Sequence, residues 1–255
     1  MDVNLEFILK GEGSDVSCDF NEPILIPTDT YEAKLGLKNF ATYNIIPNVE
    51  LNVNNQLKIK VPGADYQIFA LETGAYGLLV IYDQLKEWIE MKYPKLKKVE
   101  ENFKLLGNDA TSKAEFIFKD DYGIDFNVEN SMCELLGFTK SDKFEGLGRY
   151  IASGIVNIAN VTQLIFNCNI TDSNYINGQE MPFLYNCSIN VPVGYRLQRE
   201  LTDIAYKKLT TSQISHIRVW IVDQNGHKVN LRNDDFIVTL SLRLKRIVTP
   251  VSIER

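Results

Sequence analysis

Histidine is nearly missing from this chain of 255 residues, which carries only His216 and His227. Cysteine is sparse too. Cys18, Cys133, Cys168 and Cys187 are widely separated and form no C-x-x-C pair. Metal centres draw several such side chains from short spacings, so no zinc or catalytic metal motif is spelled out, and no cofactor is expected. Scattered cysteines also read as reduced thiols of a cytosolic or nuclear protein rather than a secreted disulfide framework. No apolar run approaches the roughly 18 residues of a membrane span. The opening stretch, MDVNLEFILKGEGSDV, has no apolar core with a cleavage site, so no signal peptide and no secretion are expected. An excess of cations is missing as well. Lys and Arg total 27 against 33 Asp and Glu, a net charge of -6. Non-specific wrapping of nucleic acid needs the opposite balance, so no strong nucleic-acid binding is expected.

The common catalytic signatures are missing in the same way. No G-x-x-x-x-G-K-[ST] and no G-x-S-x-G occurs. Gly146-Leu147-Gly148 lacks the third glycine of a dinucleotide loop. Asp223-Gln224-Asn225-Gly226 has the look of a calcium loop. Aligned on its glycine, however, it puts Ile221 and Arg232 where the first and last ligands belong. Asp120-Asp121 and Asp234-Asp235 sit in turns, where paired acids are ordinarily solvated. Asn160, Asn169 and Asn186 begin N-x-[ST] triplets, which read as chance matches without a secretory route. His216 lies on a predicted strand and His227 in a turn; both read as structural. Catalytic, cofactor-binding and metal residues are therefore expected to be none, and the chain reads as a non-enzyme.

What the sequence does have is strict two-residue alternation. In the segment 214–247, Ile217, Val219 and Ile221 share one face while Arg218 and Trp220 share the other. A tight hairpin turn follows at Asn225-Gly226, a pair suited to positive φ. The last long strand then sets Phe236, Val238, Leu240, Leu242 and Leu244 on one face. Thr239, Ser241, Arg243 and Lys245 lie on a face that is wet or meets a partner. Such strands bury one face each and build β-sandwiches. A hydrophobic content of 45% supplies the core.

Residues 5–60 carry the same pattern, broken at Pro23, Pro27 and Pro47 as strand ends or edges require. The pattern changes near residue 70. Leu78, Ile81, Tyr82, Leu85, Trp88 and Ile89 recur at helical spacing and end at Pro94. Tyr82, Trp88 and Tyr93 read as core or docking aromatics, and the lysines of 92–98 as a solvated helix end. Two strands follow, then a turn at 120–123 and a short helix in ENSMCELLGF closed by Gly137. From residue 153 strands return, beginning with IVNIANV and with a turn at Asn177-Gly178. The expected layout is a first part of the sandwich at 1–68, an α+β insertion at 69–148 and the second part at 149–255.

Six stretches together resemble one family: TYNIIPNVELNVNNQLKI (42–59), ETGAYGL (72–78), NSMCELLGF (130–138), VNIANVTQLIFNCNITDSNYING (156–178), NVPVGYRL (190–197) and HIRVWIVDQNGHKVNLRNDDFIVTLSLRL (216–244). The series is similar to the minor capsid, or penton, proteins of Polinton/Maverick elements, adintoviruses and related virophages. That resemblance implies an all-β dominated, single jelly-roll β-sandwich with a small α+β insertion. It also implies a structural subunit of the virion, placed at the icosahedral vertices as a homopentamer beside the major capsid protein. Assembly would take place in the host nucleus or cytoplasm. A major capsid protein of that lineage is typically a double jelly-roll, and 255 residues are few for two. The rival classes are a sandwich that binds glycan or protein ligands through Tyr175, Tyr185 and Tyr195, and a hydrolase on a β scaffold with clustered carboxylates or histidines.

Overall fold

The computed structural model describes residues 3–176 and 178–247. Three long strands come first: β1 (Val3–Glu12), β2 (Asp15–Leu25) and β3 (Tyr31–Tyr43). The chain then builds β4 (Gln56–Lys60), β5 (Gln67–Ala70), α1 (Leu78–Lys92), α2 (Val99–Asn102), β6 (Phe103–Asn108), β7 (Lys113–Phe118) and β8 (Gly123–Asp125). Next come α3 (Cys133–Leu136), β9 (Lys143–Glu145) and β10 (Gly148–Ile151). The remainder is again strands: β11 (Gln163–Cys168), β12 (Asn174–Ile176), β13 (Gln179–Met181), β14 (Phe183–Ser188), β15 (Arg196–Glu200), β16 (Lys207–Lys208), β17 (Gln213–Val222) and β18 (Asp235–Arg246).

Two compact units result, one formed by residues 1–46 and 161–255 and the other by 47–160. In the first, one sheet runs β1-β18-β3-β15, with β16 also on β3, and the other runs β14-β11-β17-β2. All their pairings are antiparallel. Leaving out the short β12–β13 hairpin and taking β15 with β16 as one broken strand, eight strands remain. In chain order the first sheet is first-eighth-third-sixth and the second is fifth-fourth-seventh-second. That is the strand order of a jelly roll, in which hairpin pairs fold over as Greek keys. The insertion occupies the connection between the third and fourth of these strands.

Alternation explains the core. Ile217, Val219 and Ile221 on β17 and Phe236, Val238, Leu240 and Leu242 on β18 are fully buried, as expected. Phe40 of one sheet meets Phe166 of the other at 4.6 Å between ring centroids, and Phe166 meets Phe236 at 6.0 Å. The outer face of β18 departs from expectation, because Thr239 and Ser241 are buried. Part of the cover is visible in the segment 201–206, which crosses the outer side of the sheet. A Cβ on Gly36 would stand 2.3 Å from Ile204 Cγ2, so only glycine admits this strap. Tyr206 holds it down through a 3.1 Å hydrogen bond with Ser241 Oγ and by stacking under Arg243, whose guanidinium carbon lies 4.0 Å above the ring.

The turn after β17 also differs in detail. Gly226 alone takes positive φ (85°), and Gly226 N donates to Asp223 O. The returning chain makes one bridge, Val222 with Lys228, and no second strand, so β17 is followed by a long loop into the opposite sheet. Asn177 of the other expected turn lies outside the described residues. Pro23 sits in β2, an edge strand, where its missing N–H costs no ladder bond.

The second unit is α+β. Sheets β10-β7-β6 and β5-β4-β8-β9 surround a core to which α1 contributes Ile81, Leu85 and Ile89. The compact units divide at 46/47 and 160/161, whereas the sequence pattern places the boundaries at 68/69 and 148/149. Strands β4 and β5 alternate like sandwich strands, but they pair with each other, and β4 pairs with β8. Residues 155–161, expected to be a strand, are irregular. Their amides spend their bonds elsewhere, Val156 N on Ser112 O and Asn157 N on Leu135 O. The helix expected in 129–138 shrinks to the single turn α3, closed by Gly137 at φ 78°.

Candidate functional site

The titratable side chains singled out in the sequence are spread apart and tied into structure. His216 Nδ1 lies 2.8 Å from Asp19 Oδ1 on the neighbouring strand, and both are exposed. His227 Nδ1 is 3.6 Å from Asp223 Oδ2 in the turn. Asp223 itself is buried, and its Oδ1 accepts from the backbone N–H of Asn225 and of His227, each at 2.8 Å. It braces the turn, as an Asx side chain does. Asp120 Oδ1 accepts from Asp121 N, Asp121 pairs with Lys60 and Asp235 pairs with Lys10 at 2.9 Å. Cys133, Cys168 and Cys187 are free and buried, and burial pushes the Cys168 and Cys187 thiols up to about 11. Such thiols are inert at neutral pH. No cluster of three or more His, Cys, Asp or Glu able to hold a metal occurs among the described residues. No helix among them is long and apolar enough to cross a membrane.

The aromatics fare similarly. Tyr82 stacks on Phe103 and donates to its carbonyl, while Trp88 packs between Phe69 and Tyr93 with Lys92 over its ring. These are packing residues of the insertion. Tyr185 is half-buried against Phe166, whereas Tyr175 and Tyr195 are exposed on different elements. The three tyrosines do not gather into one binding face. Tyr175 belongs to the small β12–β13 hairpin, and Tyr195 N turns back on Pro192 O just before β15.

Two ion-pair systems were not legible as such. In the insertion, Lys60 joins Asp121 and Glu145, and Tyr66 donates to Glu145 Oε2 at 3.3 Å. The hydrogen bonds to Glu145 and Asp121 raise Lys60 to about 12, and burial raises Tyr66 to about 12. In the sandwich, Arg218 makes a two-pronged bond to Asp15 on the adjacent strand and lies over Trp220. That hydrogen bond holds the Asp15 carboxyl below its ordinary range. Both systems are exposed cross-strand clamps with nothing reactive between them. The insertion also has a cleft of about 590 Å³ reached by Asn48, Asn54 and Asn157. Asn48 donates to Tyr76 O and Ile158 O and accepts from Tyr76 N, and Asn54 donates to Asn48 O and accepts from Glu50 N. These amides are spent on loops.

What the sandwich leaves open are its ends and edges. At one end the β1–β2 turn, the root of the insertion, the β14–β15 loop and the β17–β18 loop meet. Gly13 N donates to Asp234 O, Gly194 N to Asn44 O and Asn44 N to Tyr195 O. Arg232 and Asn233, both at positive φ (50° and 58°), line shallow hollows at this end. At the other end a groove of about 1060 Å³ lies among Tyr31, Asp172, Lys208, Thr210, Lys245 and Arg246. Along the sides, β1 and β15/β16 are the two edges of one sheet, and among the described strands neither has a neighbour on its outer side.

Comparison with known proteins gives little beyond this. No protein-family model matches the chain. No curated protein matches it. Among solved structures, the chain is similar to the selenomethionine-labelled mavirus penton protein at 12% identity. The match covers 97% of this chain and 100% of that one, with a TM-score of 0.47. The strand order, rather than this likeness, identifies the jelly roll.

Proposed function

We propose that the chain is a structural capsid subunit that closes into a homopentamer at the vertices of an icosahedral shell, beside the major capsid protein. The observation that carries this reading is a complete single jelly roll whose one sheet offers two different free edges. A cyclic ring is built from heterologous contacts, which need two unlike patches on every copy. The motif series from residues 42 to 244 supports the same role, and no reacting constellation competes with it among the described residues. The insertion, carried on one connection of the sandwich, is available for shell-specific contacts. Subunit contacts on the scale of specific interfaces, roughly 1,200–2,000 Å², are expected.

The ligand-binding module finds less support, because Tyr175, Tyr185 and Tyr195 occupy separate settings. The deciding experiment is electron microscopy of particles formed when the protein is produced together with a major shell protein of its element. Density for five copies at each vertex is expected. Closed shells whose vertices lack the protein would sink the reading.

A further inference from the structure

The two free edges of the β1-containing sheet differ in charge, and their registers place them level. Glu12 pairs with Asp235 on β18, and Ile237 pairs with Ala41 on β3. Two residues further along each strand, Asp235 therefore lies level with Tyr43, which pairs with Arg196 on β15. Glu12 and Arg196 thus stand at the two ends of one row across the sheet. Both are exposed, and among the described residues neither has an ion-pair partner. Arg199, Lys207 and Lys208 add three more cations to this edge, and none of them meets a carboxylate among the described residues; the one acid of the strand, the exposed Glu200, lies near Lys38. On the opposite flank, Glu6, Lys10 and Asp15 are already in ion pairs, which leaves Glu12, Asp19 and Glu22 as the charges without a cationic Lys or Arg partner. Each flank also carries exposed apolar side chains: Ile8 (72% exposed) and Leu25 on one, Tyr195 (64%) and Val193 on the other.

We propose that these edges are the two halves of one contact between copies of this chain, with Glu12 of one copy facing Arg196 of the next. Rotation about an axis parallel to the strands keeps every row at its height. It carries the Arg196 end of a row onto the Glu12 end of the neighbour's. Opposite charges at equal height fix the register of that contact, and the apolar side chains along the same flanks give it area. Closure also covers two strand edges that would otherwise be open to indiscriminate pairing. Charged edge residues can serve as guards against such pairing. Guarding does not require opposite sign, and here the β15/β16 edge carries Arg196, Arg199, Lys207 and Lys208 against the single Glu200, whereas the uncompensated charges of the other flank are carboxylates.

The inference rests on the ring reading above and goes further by naming the faces. It is tested by light scattering and crosslinking on the full chain. Glu12→Arg and Arg196→Glu are each expected to weaken ring formation about tenfold or more. The double variant Glu12→Arg/Arg196→Glu is expected to restore it, since every contact regains an opposite pair. A Glu12→Cys/Arg196→Cys variant is expected to give a covalent ladder ending at five copies on oxidation. Either single cysteine is expected to give no ladder. Rings that form normally in both charge variants, with no ladder from the double cysteine, would overturn this assignment and leave the ring standing. A wild-type chain that forms no ring, alone or with the major shell protein, would remove both.

Discussion

The sandwich and its insertion reach a buried core by different routes. In the sandwich, strands of 10 to 13 residues such as β1, β3, β17 and β18 alternate, and the core is chiefly aliphatic. Phe40, Phe166 and Phe236 are the aromatic exceptions among its buried residues. In the insertion the strands are 3 to 6 residues long, and Phe103, Phe116, Phe118, Tyr122, Phe126 and Phe138 form one ring cluster extended by Phe144 and Tyr150. An aromatic ring buries about 150–250 Å², so short strands can hold a small unit together when rings fill the centre. Long alternating strands do something else. They make broad sheets whose rows run from edge to edge, and those rows are what an assembly can align. One unit is organised around its centre, the other around its borders.

The sharpest way to break the comparison is Phe116→Ala. Its ring lies within 6.5 Å of the centroids of Phe103, Phe118, Phe126, Phe138 and Phe144. A loss of about 3–5 kcal/mol is expected, confined to the insertion. Calorimetry should show one transition falling and the sandwich transition unmoved. A single shared shift would mean the two units unfold as one.

A smaller effect is expected at the sandwich border. Gly36→Val would drive a side chain into Ile204, at a cost of about 1–3 kcal/mol. Proteolysis should then cut within 201–206 faster than in the wild type. Unchanged resistance would mean that the strap does not depend on Gly36.

The two units should also part in their response to pH. Arg218 lowers the Asp15 carboxyl in the folded sandwich, so that contribution is present above pH 3.8 and is lost as the pH falls through the lower folded value. Arg218→Ala should lower stability slightly at neutral pH and flatten the sandwich's acid limb in a pH series of melts. In the insertion, Lys60 and Tyr66 hold their protons more tightly than usual. Stability is therefore lost as the pH climbs from their ordinary 10.5 and 10.0 toward about 12. The smallest expected effect is that Lys60→Met reduces this alkaline loss and, because Lys60 holds the Glu145 carboxyl down, also flattens the insertion's own acid limb. An acid limb unchanged by Arg218→Ala would count against the clamp.

Much of this was legible where periodicity is local. Alternation placed Ile217, Val219 and Ile221 inside, and helical spacing placed Ile81, Leu85 and Ile89 inside. Strand partners were not legible, because register between Glu12 and Asp235 or Tyr43 and Arg196 depends on chain segments far apart. For the same reason the alternation of LKIKV points to the sandwich, although it pairs with QIFA in the insertion. IVNIANV alternates like a strand but is irregular, its exposed Ile155 burying nothing. Gly36, in the middle of an otherwise side-chain-rich strand, was the available signal for the strap, since a strand glycine marks a close approach of another chain segment. The edges carried no local signal: an exposed arginine and an exposed glutamate look like solvated charges until topology sets them in one row.

The most direct test is the native mass of the purified full chain by light scattering over a concentration series. A closed ring near five times 29.1 kDa is expected. A monomer at every concentration, unchanged when the major shell protein is added, would contradict the assembly role of the two edges.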